Sequence, residues 1–116
     1  MAETTEGKLL KEVVKGDKNA QYSLAHHYQI GIRLGFDFEN VEGKDADVYW
    51  YHKAAEQGQK EAQYTLGQYY RFGHGVKRDS KKARYWFGKA AELGHERALK
   101  KLNNDEKLLN QLKQRI

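Results

Sequence analysis

The sequence predicts an all-α protein in which helical hairpins stack side by side as a solenoid, and two repeated patterns indicate it. Trp50 recurs 36 residues later as Trp86, with the alanines and glycine that follow it. A Gln-Tyr-Ser-Leu segment at 21–24 recurs 42 residues later as Gln-Tyr-Thr-Leu at 63–66. Apolar residues within each unit keep the three-to-four-residue spacing of helices. Internal repetition of this length is typical of stacked helical pairs.

Composition fits one small polar domain. The chain has 116 residues, a formal net charge of +5 and no cysteine, and its mean hydropathy is −0.98. The absence of cysteine excludes disulfides and thiolate metal sites. No apolar run approaches the roughly 18 residues of a membrane span, and residues 1–6 lack the apolar core of a signal peptide. We therefore expect a cytoplasmic protein that does not bind membranes.

The first half of the chain predicts a cap helix followed by repeat one. A cap helix is expected at 4–16, because its leucines and valines lie at helical spacing before a terminating glycine. Repeat one spans 17–58. Its helices are expected at 17–30 and 45–57, separated by an enlarged loop at 31–44.

The second half predicts repeat two and a further cap. Repeat two spans 59–94, with Asp79 as the N-cap of its second helix and Gly94 at that helix's end. The pattern starts a third time at Ala98 and then lapses. Residues 95–116 are therefore interpreted as a half-repeat followed by a C-terminal capping helix.

The spaced residues of repeat two carry a family resemblance. They are Ala62, Leu66, Gly67, Tyr70, Gly73, Gly75, Val76, Asp79, Ala83, Trp86, Lys89, Ala90, Ala91 and Gly94. The pattern resembles the Sel-one-like repeat (SLR) family, helical relatives of the tetratricopeptide repeat, and covers 16–102. Repeat one departs from it: Asp47 stands where repeat two has Ala83, and six residues are added between its helices.

The resemblance implies a right-handed α/α superhelix of two hairpin repeats between capping helices. Its first helices would line a concave groove, and its role would be that of an adaptor. Ten residues would then face the groove: Asn19, Tyr22, His26 and Gln29 in repeat one; Glu61, Tyr64, Gln68 and Arg71 in repeat two; Arg97 and Lys100 in the half-repeat. Tyrosine and arginine often supply binding hot spots. The alternative is that the tyrosine rings only cover the solenoid's inner surface.

The enlarged loop offers a second contact. Phe36 and Phe38 belong to a stretch in which apolar residues alternate with polar ones or glycine, a period typical of extended chain. With acidic residues beside it, this stretch would suit a basic partner protein. The alternative is that both phenylalanines pack onto the chain's own hairpin.

No motif predicts chemistry. The five histidines lack chelating spacing, and no nucleophile motif is present, so we predict no enzyme, no metal and no cofactor. Seven cations lie between Arg71 and Lys89, which raises nucleic acid as a partner. They alternate with core residues and no nucleic-acid-binding module is present, which disfavours that reading.

The sequence thus favours a non-catalytic module that binds a partner protein or peptide in its groove. The alternative is a small cytoplasmic immunity or inhibitor protein that blocks a toxin or enzyme with the same surfaces, as some small bacterial SLR proteins do. Because a two-hairpin array has exposed ends, we expect a monomer or a weak end-to-end homodimer.

Overall fold

The computed structural model of the protein describes residues 5–30 and 46–104. The predicted loop at 31–44, with its two phenylalanines, and residues 105–116 lie outside the described residues. Within the described ranges the chain forms helices and no strand. The all-α prediction is confirmed.

Six helices follow one another in the described chain. They are α1 (Thr5–Val14), α2 (Lys18–Gln29), α3 (Ala46–Glu56), α4 (Lys60–Phe72), α5 (Ser80–Glu92) and α6, whose described part is 96–104. From α1 to α5, each helix packs against the next one along the chain. In the second hairpin, α5 starts beside the end of α4, because the backbone N–H of Asp79 donates to the Tyr70 carbonyl at 2.9 Å. The helices therefore form a side-by-side stack.

The three linkers that precede α2, α4 and α6 have one backbone geometry. Each contains a glycine in the left-handed region: Gly16 at φ 86°, Gly58 at 85° and Gly94 at 85°. The glycine N–H bonds the carbonyl three residues back, and the following N–H bonds the carbonyl five residues back, all at 2.9 to 3.1 Å. This pair of bonds closes the preceding helix and requires a positive φ at the glycine. The linker after α1 therefore matches those after α3 and α5, so α1 ends as the second helix of a hairpin does.

The residue after each glycine caps the next helix. Side chains of Asp17, Gln59 and His95 accept the backbone N–H three residues further on, at 2.8, 2.6 and 3.2 Å respectively. Asp79 caps α5 in the same way and accepts two backbone N–H groups at 3.0 and 3.1 Å. The prediction of Asp79 as an N-cap is confirmed.

Two apolar clusters form the core. The first joins α1 to α4 and includes Val13, Leu24, Ala25, Tyr51, Ala54, Ala62 and Leu66. The second joins α4, α5 and α6 and consists of Tyr70, Ala83, Phe87, Ala90 and Ala98. Val76 and Trp86 pack against both clusters. They connect the two repeats into one body.

Asp47, the position at which repeat one departs from the family pattern, is a buried carboxylate in the first turn of α3. Tyr69 donates its hydroxyl to Asp47 Oδ2 at 2.7 Å, and His74 Nε2 lies 3.4 Å from the same oxygen. Burial raises the pKa of Tyr69, and the bond to Asp47 raises it further. A negative charge in the first turn also suits the helix dipole. Where repeat two has an alanine, repeat one therefore has a carboxylate that links α3 to α4.

Candidate partner-binding site

The first helices α2, α4 and α6 present equivalent polar residues along one edge. Asn19, Glu61 and Arg97 each occupy the second position of their helix. Asn19 and Glu61 line a cleft of about 320 Å³ between the starts of α2 and α4. Glu61 and Arg97 line a second cleft of about 510 Å³ between the starts of α4 and α6. The two clefts follow one another along the row of first helices, and Glu61 lines both of them.

Glu61 is held in place by His95. The His95 ring is buried, and its Nε2 lies 3.0 Å from Glu61 Oε2. Because His95 Nδ1 already accepts the Ala98 N–H, the ring proton of the neutral histidine is on Nε2 and is donated to Glu61. The cap of α6 thereby orients the carboxylate that both clefts share.

Tyr22 is a half-buried aromatic residue of α2. Its ring lies 5.8 Å from that of Tyr51 and stacks on His26 with a centroid distance of 6.4 Å. Burial raises the pKa of the Tyr22 hydroxyl, and the charge of Glu61 raises it further. Tyr22 therefore lies within electrostatic reach of the next first helix and keeps part of its ring exposed.

Tyr64 holds the equivalent position in α4. Its ring stacks on His95 at 4.5 Å with an interplanar angle of 16°, and lies 5.6 Å from Phe87. Gln68 Nε2 donates to the Tyr64 hydroxyl at 3.2 Å. The Tyr64 ring is therefore held by contacts with both His95 and Phe87.

The other predicted groove residues are less constrained. His26 and Gln29 are exposed on α2, and Gln29 accepts the hydroxyl of Tyr51. The Arg71 guanidinium lies 5.7 Å from the centre of the Phe72 ring, and Lys100 is exposed on α6. The structure thus brings together the predicted residues around Glu61, while the role of the full set stays a prediction.

Sequence reasoning missed a further cleft of about 400 Å³ between the end of α3 and α5, here named the α3–α5 cleft. Its lining includes Gln63, Tyr85 and Trp86. The sequence contains a sign of this cleft. Gln21 recurs as Gln63, whereas Gln57, which donates a hydrogen bond to Gln21 in the structure, recurs as Leu93. A recurrence that keeps one residue of a bonded pair and loses the other marks a change in that site.

Neither metal-binding nor membrane-spanning features occur in the part of the chain that the structure describes. Among residues 5–30 and 46–104, no three or more His, Asp or Glu side chains gather where they could hold a metal ion. None of the described helices combines the length and the apolar character needed to cross a bilayer.

Repeated helical hairpins joined by matching linkers place the protein in the class of α/α-solenoid repeat proteins. The Sel1 repeat model matches residues 18–37, 48–59 and 60–95, more than half of the chain. The chain belongs to the Sel1 repeat family, and the resemblance inferred from its residues is confirmed. Proteins of this family are generally non-catalytic modules that mediate protein–protein interactions.

Two solved bacterial structures are similar to this one. A Sel1 repeat protein from Oxalobacter formigenes has 30% identity and a TM-score of 0.67, covering 78% of this chain and 64% of its own. The protein c5321, a protective antigen of uropathogenic Escherichia coli strains displaying an SLR fold, has 33% identity and a TM-score of 0.66. That match covers 83% of this chain and 19% of c5321. This chain thus spans less than two thirds of either protein, and no curated protein matches it.

Proposed function

We propose that this protein is a non-catalytic interaction module that binds a partner protein or peptide along its first helices. The binding surface would be the first-helix wall, defined by Asn19, Tyr22, His26, Gln29, Glu61, Tyr64, Gln68, Arg71, Arg97 and Lys100. The observation that carries the proposal is the pair of successive clefts that share Glu61. A row of clefts along equivalent helix positions suits an elongated segment rather than a small molecule.

The fixed aromatic residues support this proposal energetically. Binding costs conformational entropy for each side chain that becomes ordered. The ring of Tyr64 already rests on His95 and that of Tyr22 near Tyr51, so a partner would immobilise little more. Rigid, half-exposed tyrosines offer apolar area together with a hydroxyl. Glu61 and Arg97 would select the register of the segment through opposite charges.

A capture experiment with matched tyrosine variants tests the proposal. Affinity-tagged wild type, Tyr22→Ala and Tyr49→Ala are used to capture partners from native lysate, and the captured protein is then titrated calorimetrically. Tyr49 is the control because it is exposed on α3, where it contacts Trp50 and Lys53. We expect Tyr22→Ala to weaken binding about thirtyfold, the effect of a hot spot of about 2 kcal/mol, and Tyr49→Ala to leave it unchanged.

Circular dichroism melts establish that each variant is folded before binding is compared. Equal dissociation constants for folded Tyr22→Ala and wild type would show that the partner does not use the first-helix wall. Loss of binding in Tyr49→Ala alone would place the partner on α3 instead.

A further inference from the structure

The α3–α5 cleft combines a buried acceptor with aromatic rings and carboxylates. It is lined by Ala55, Glu56, Gly58, Gln63, Tyr85, Trp86, Lys89, Glu92 and Leu93. None of these residues belongs to the first-helix wall. The cleft therefore requires an explanation of its own.

Gln63 lines this cleft and has a buried side-chain oxygen that is unsatisfied. The side chain is 4% exposed, and its Nε2 donates to the Ala55 carbonyl at 3.1 Å. That bond fixes the amide orientation, because a flipped amide would set its oxygen against the carbonyl oxygen. Gln63 Oε1 then has no hydrogen-bond partner among the residues that the structure describes. A buried acceptor without a donor is destabilising, so such groups usually have a partner.

Repeat one shows what is missing. Gln21 is the equivalent of Gln63 and is also buried. Its Oε1 accepts from Gln57 Nε2 at 2.7 Å. The residue equivalent to Gln57 in repeat two is Leu93, which has no side-chain donor. Repeat two has therefore lost the internal donor that repeat one retains, while keeping the acceptor.

The surroundings of Gln63 indicate which donor fits. Glu56 and Glu92 carry negative charge at the cleft, and neither forms an ion pair within 5–30 and 46–104. Lys89 is the lining cation, and its Nζ lies 5.6 Å from the centre of the Tyr85 ring. A guanidinium suits the unsatisfied oxygen, the aromatic rings and the carboxylates of this cleft, because it donates hydrogen bonds in a plane, stacks on aromatic rings and pairs with carboxylates. An ammonium group lacks the planar face.

We propose that the α3–α5 cleft binds an arginine side chain of a partner protein, with a guanidinium N–H donated to Gln63 Oε1. The arginine takes the part that Gln57 plays in repeat one. None of the residues that line this site is among the ten of the first-helix wall, although Gln63 lies on α4 and both Gly58 and Leu93 also line the cleft between α2 and α4. Its test reads the signals of Gln63 and Trp86, which line neither of the two clefts of the first-helix wall, so either proposal can fail without the other.

The test is a titration of the full-length chain, labelled with ¹⁵N, with the blocked tripeptide glycyl-arginyl-glycine. The side-chain amide signals of Gln63 and the indole N–H of Trp86 report on the cleft. We expect both to shift in a saturable manner with the arginine peptide. The matching lysine peptide should bind at least about tenfold more weakly, since it lacks the planar donor set.

Leu93→Gln supplies the decisive variant, since it restores the donor found in repeat one. Leu93 is 48% exposed, so this change and the control Leu93→Met leave the core intact. We expect Leu93→Gln to weaken arginine-peptide binding about tenfold by occupying Gln63 Oε1, whereas Leu93→Met binds as wild type does. The proposal is overturned by equal affinity of Leu93→Gln and wild type, by equal affinity for the lysine peptide, or by the absence of shifts with the arginine peptide.

Discussion

Gly67 lets the Phe87 ring lie directly against the backbone of α4. A Cβ added at Gly67 would stand 2.5 Å from two ring atoms of Phe87, a distance at which something must move. Phe87 is 1% exposed, so its ring has little free space to move into. Glycine inside a helix costs about 1 kcal/mol relative to alanine. Burial of the Phe87 ring offsets that cost.

We expect Gly67→Ala to lower the free energy of unfolding by about 1–3 kcal/mol, the range for overpacking a core. Gly88→Ala is the matched control, because Gly88 lies inside α5 and an added Cβ there meets no atom within 4 Å. The control should raise stability by up to about 1 kcal/mol through helix propensity. Urea denaturation at constant pH measures both. A gain in stability for Gly67→Ala would show that the Phe87 ring repacks at no cost.

At the residue scale, the sequence predicts small residues where helices approach but not every partner they meet. Gly67 is one of the spaced residues of the repeat pattern, and the structure shows that its lack of a side chain admits Phe87. The bond from Tyr69 to Asp47 joins residues 22 positions apart, and no local pattern pairs them. The unpartnered oxygen of Gln63 depends on the loss of a donor at position 93, which appears only when the two repeats are compared residue by residue.

Among the elements, α3, α4 and α5 meet at His52. Its Nε2 lies 2.9 Å from the Tyr70 hydroxyl, and its ring meets the Trp86 ring edge-on at 5.7 Å. Burial lowers the pKa of His52; Lys82 lowers it further, whereas Glu56 acts in the opposite direction. The folded protein therefore holds this imidazole neutral at a pH at which the unfolded chain begins to bind a proton.

This difference predicts a loss of stability on acidification. The pKa of His52 in the unfolded chain is about 6.5 and is lower in the folded chain. The contribution of His52 to the unfolding free energy is complete above about pH 6.5. It is lost as the pH falls from the pKa of the unfolded chain towards the lower pKa of the folded chain. We expect His52→Gln, which does not titrate in this range, to show a smaller decrease in unfolding free energy between pH 7.5 and 5. An identical decrease in both proteins, measured by urea denaturation, would assign the pH dependence to other groups.

The helix caps show the limits of prediction at this scale. Aspartate at position 79 is a preferred N-cap and was recognised as one. Gln59 and His95 are not preferred at that position, yet both cap their helices. The preceding glycine fixes the backbone so that whichever side chain follows reaches the same N–H. Linker geometry thus outweighs the intrinsic preference of the capping residue.

For the whole molecule, Val76 and Trp86 decide whether the two core clusters unfold together. Both pack against the cluster of α1–α4 and against the cluster of α4–α6. In a repeat array, stability is close to a sum of unit and interface contributions. The contacts of Trp86 therefore contribute to cooperativity as well as to stability.

We expect Trp86→Ala to lower the unfolding free energy by about 2–3 kcal/mol, less than for a fully buried tryptophan. Native-state hydrogen exchange should then show α5 opening at a lower free energy than α2 and α3. Phe87→Leu is the control, because Phe87 belongs to the second cluster; it should lower stability and keep a smaller difference between these helices. Uniform loss of protection in Trp86→Ala would show that the clusters are coupled by other contacts.

The architecture was predictable because repetition supplies the same signal more than once. Trp50 and Trp86, with the alanines that follow them, lie on the second helices as their 36-residue spacing implied. The positions that make up the proposed first-helix wall follow from that register. The α3–α5 cleft did not, because it arises from a difference between the repeats, and a repeat pattern identifies what is shared.

The matching linkers at Gly16, Gly58 and Gly94 make the unit 59–94 interchangeable. Each junction has a glycine with nearly the same φ and the same pair of backbone hydrogen bonds. A duplicated unit inserted at any junction would extend the solenoid and keep the orientation of each hairpin relative to the next. Gene duplication can therefore lengthen such an array in whole steps, and an engineer can vary the number of binding clefts by the same cut.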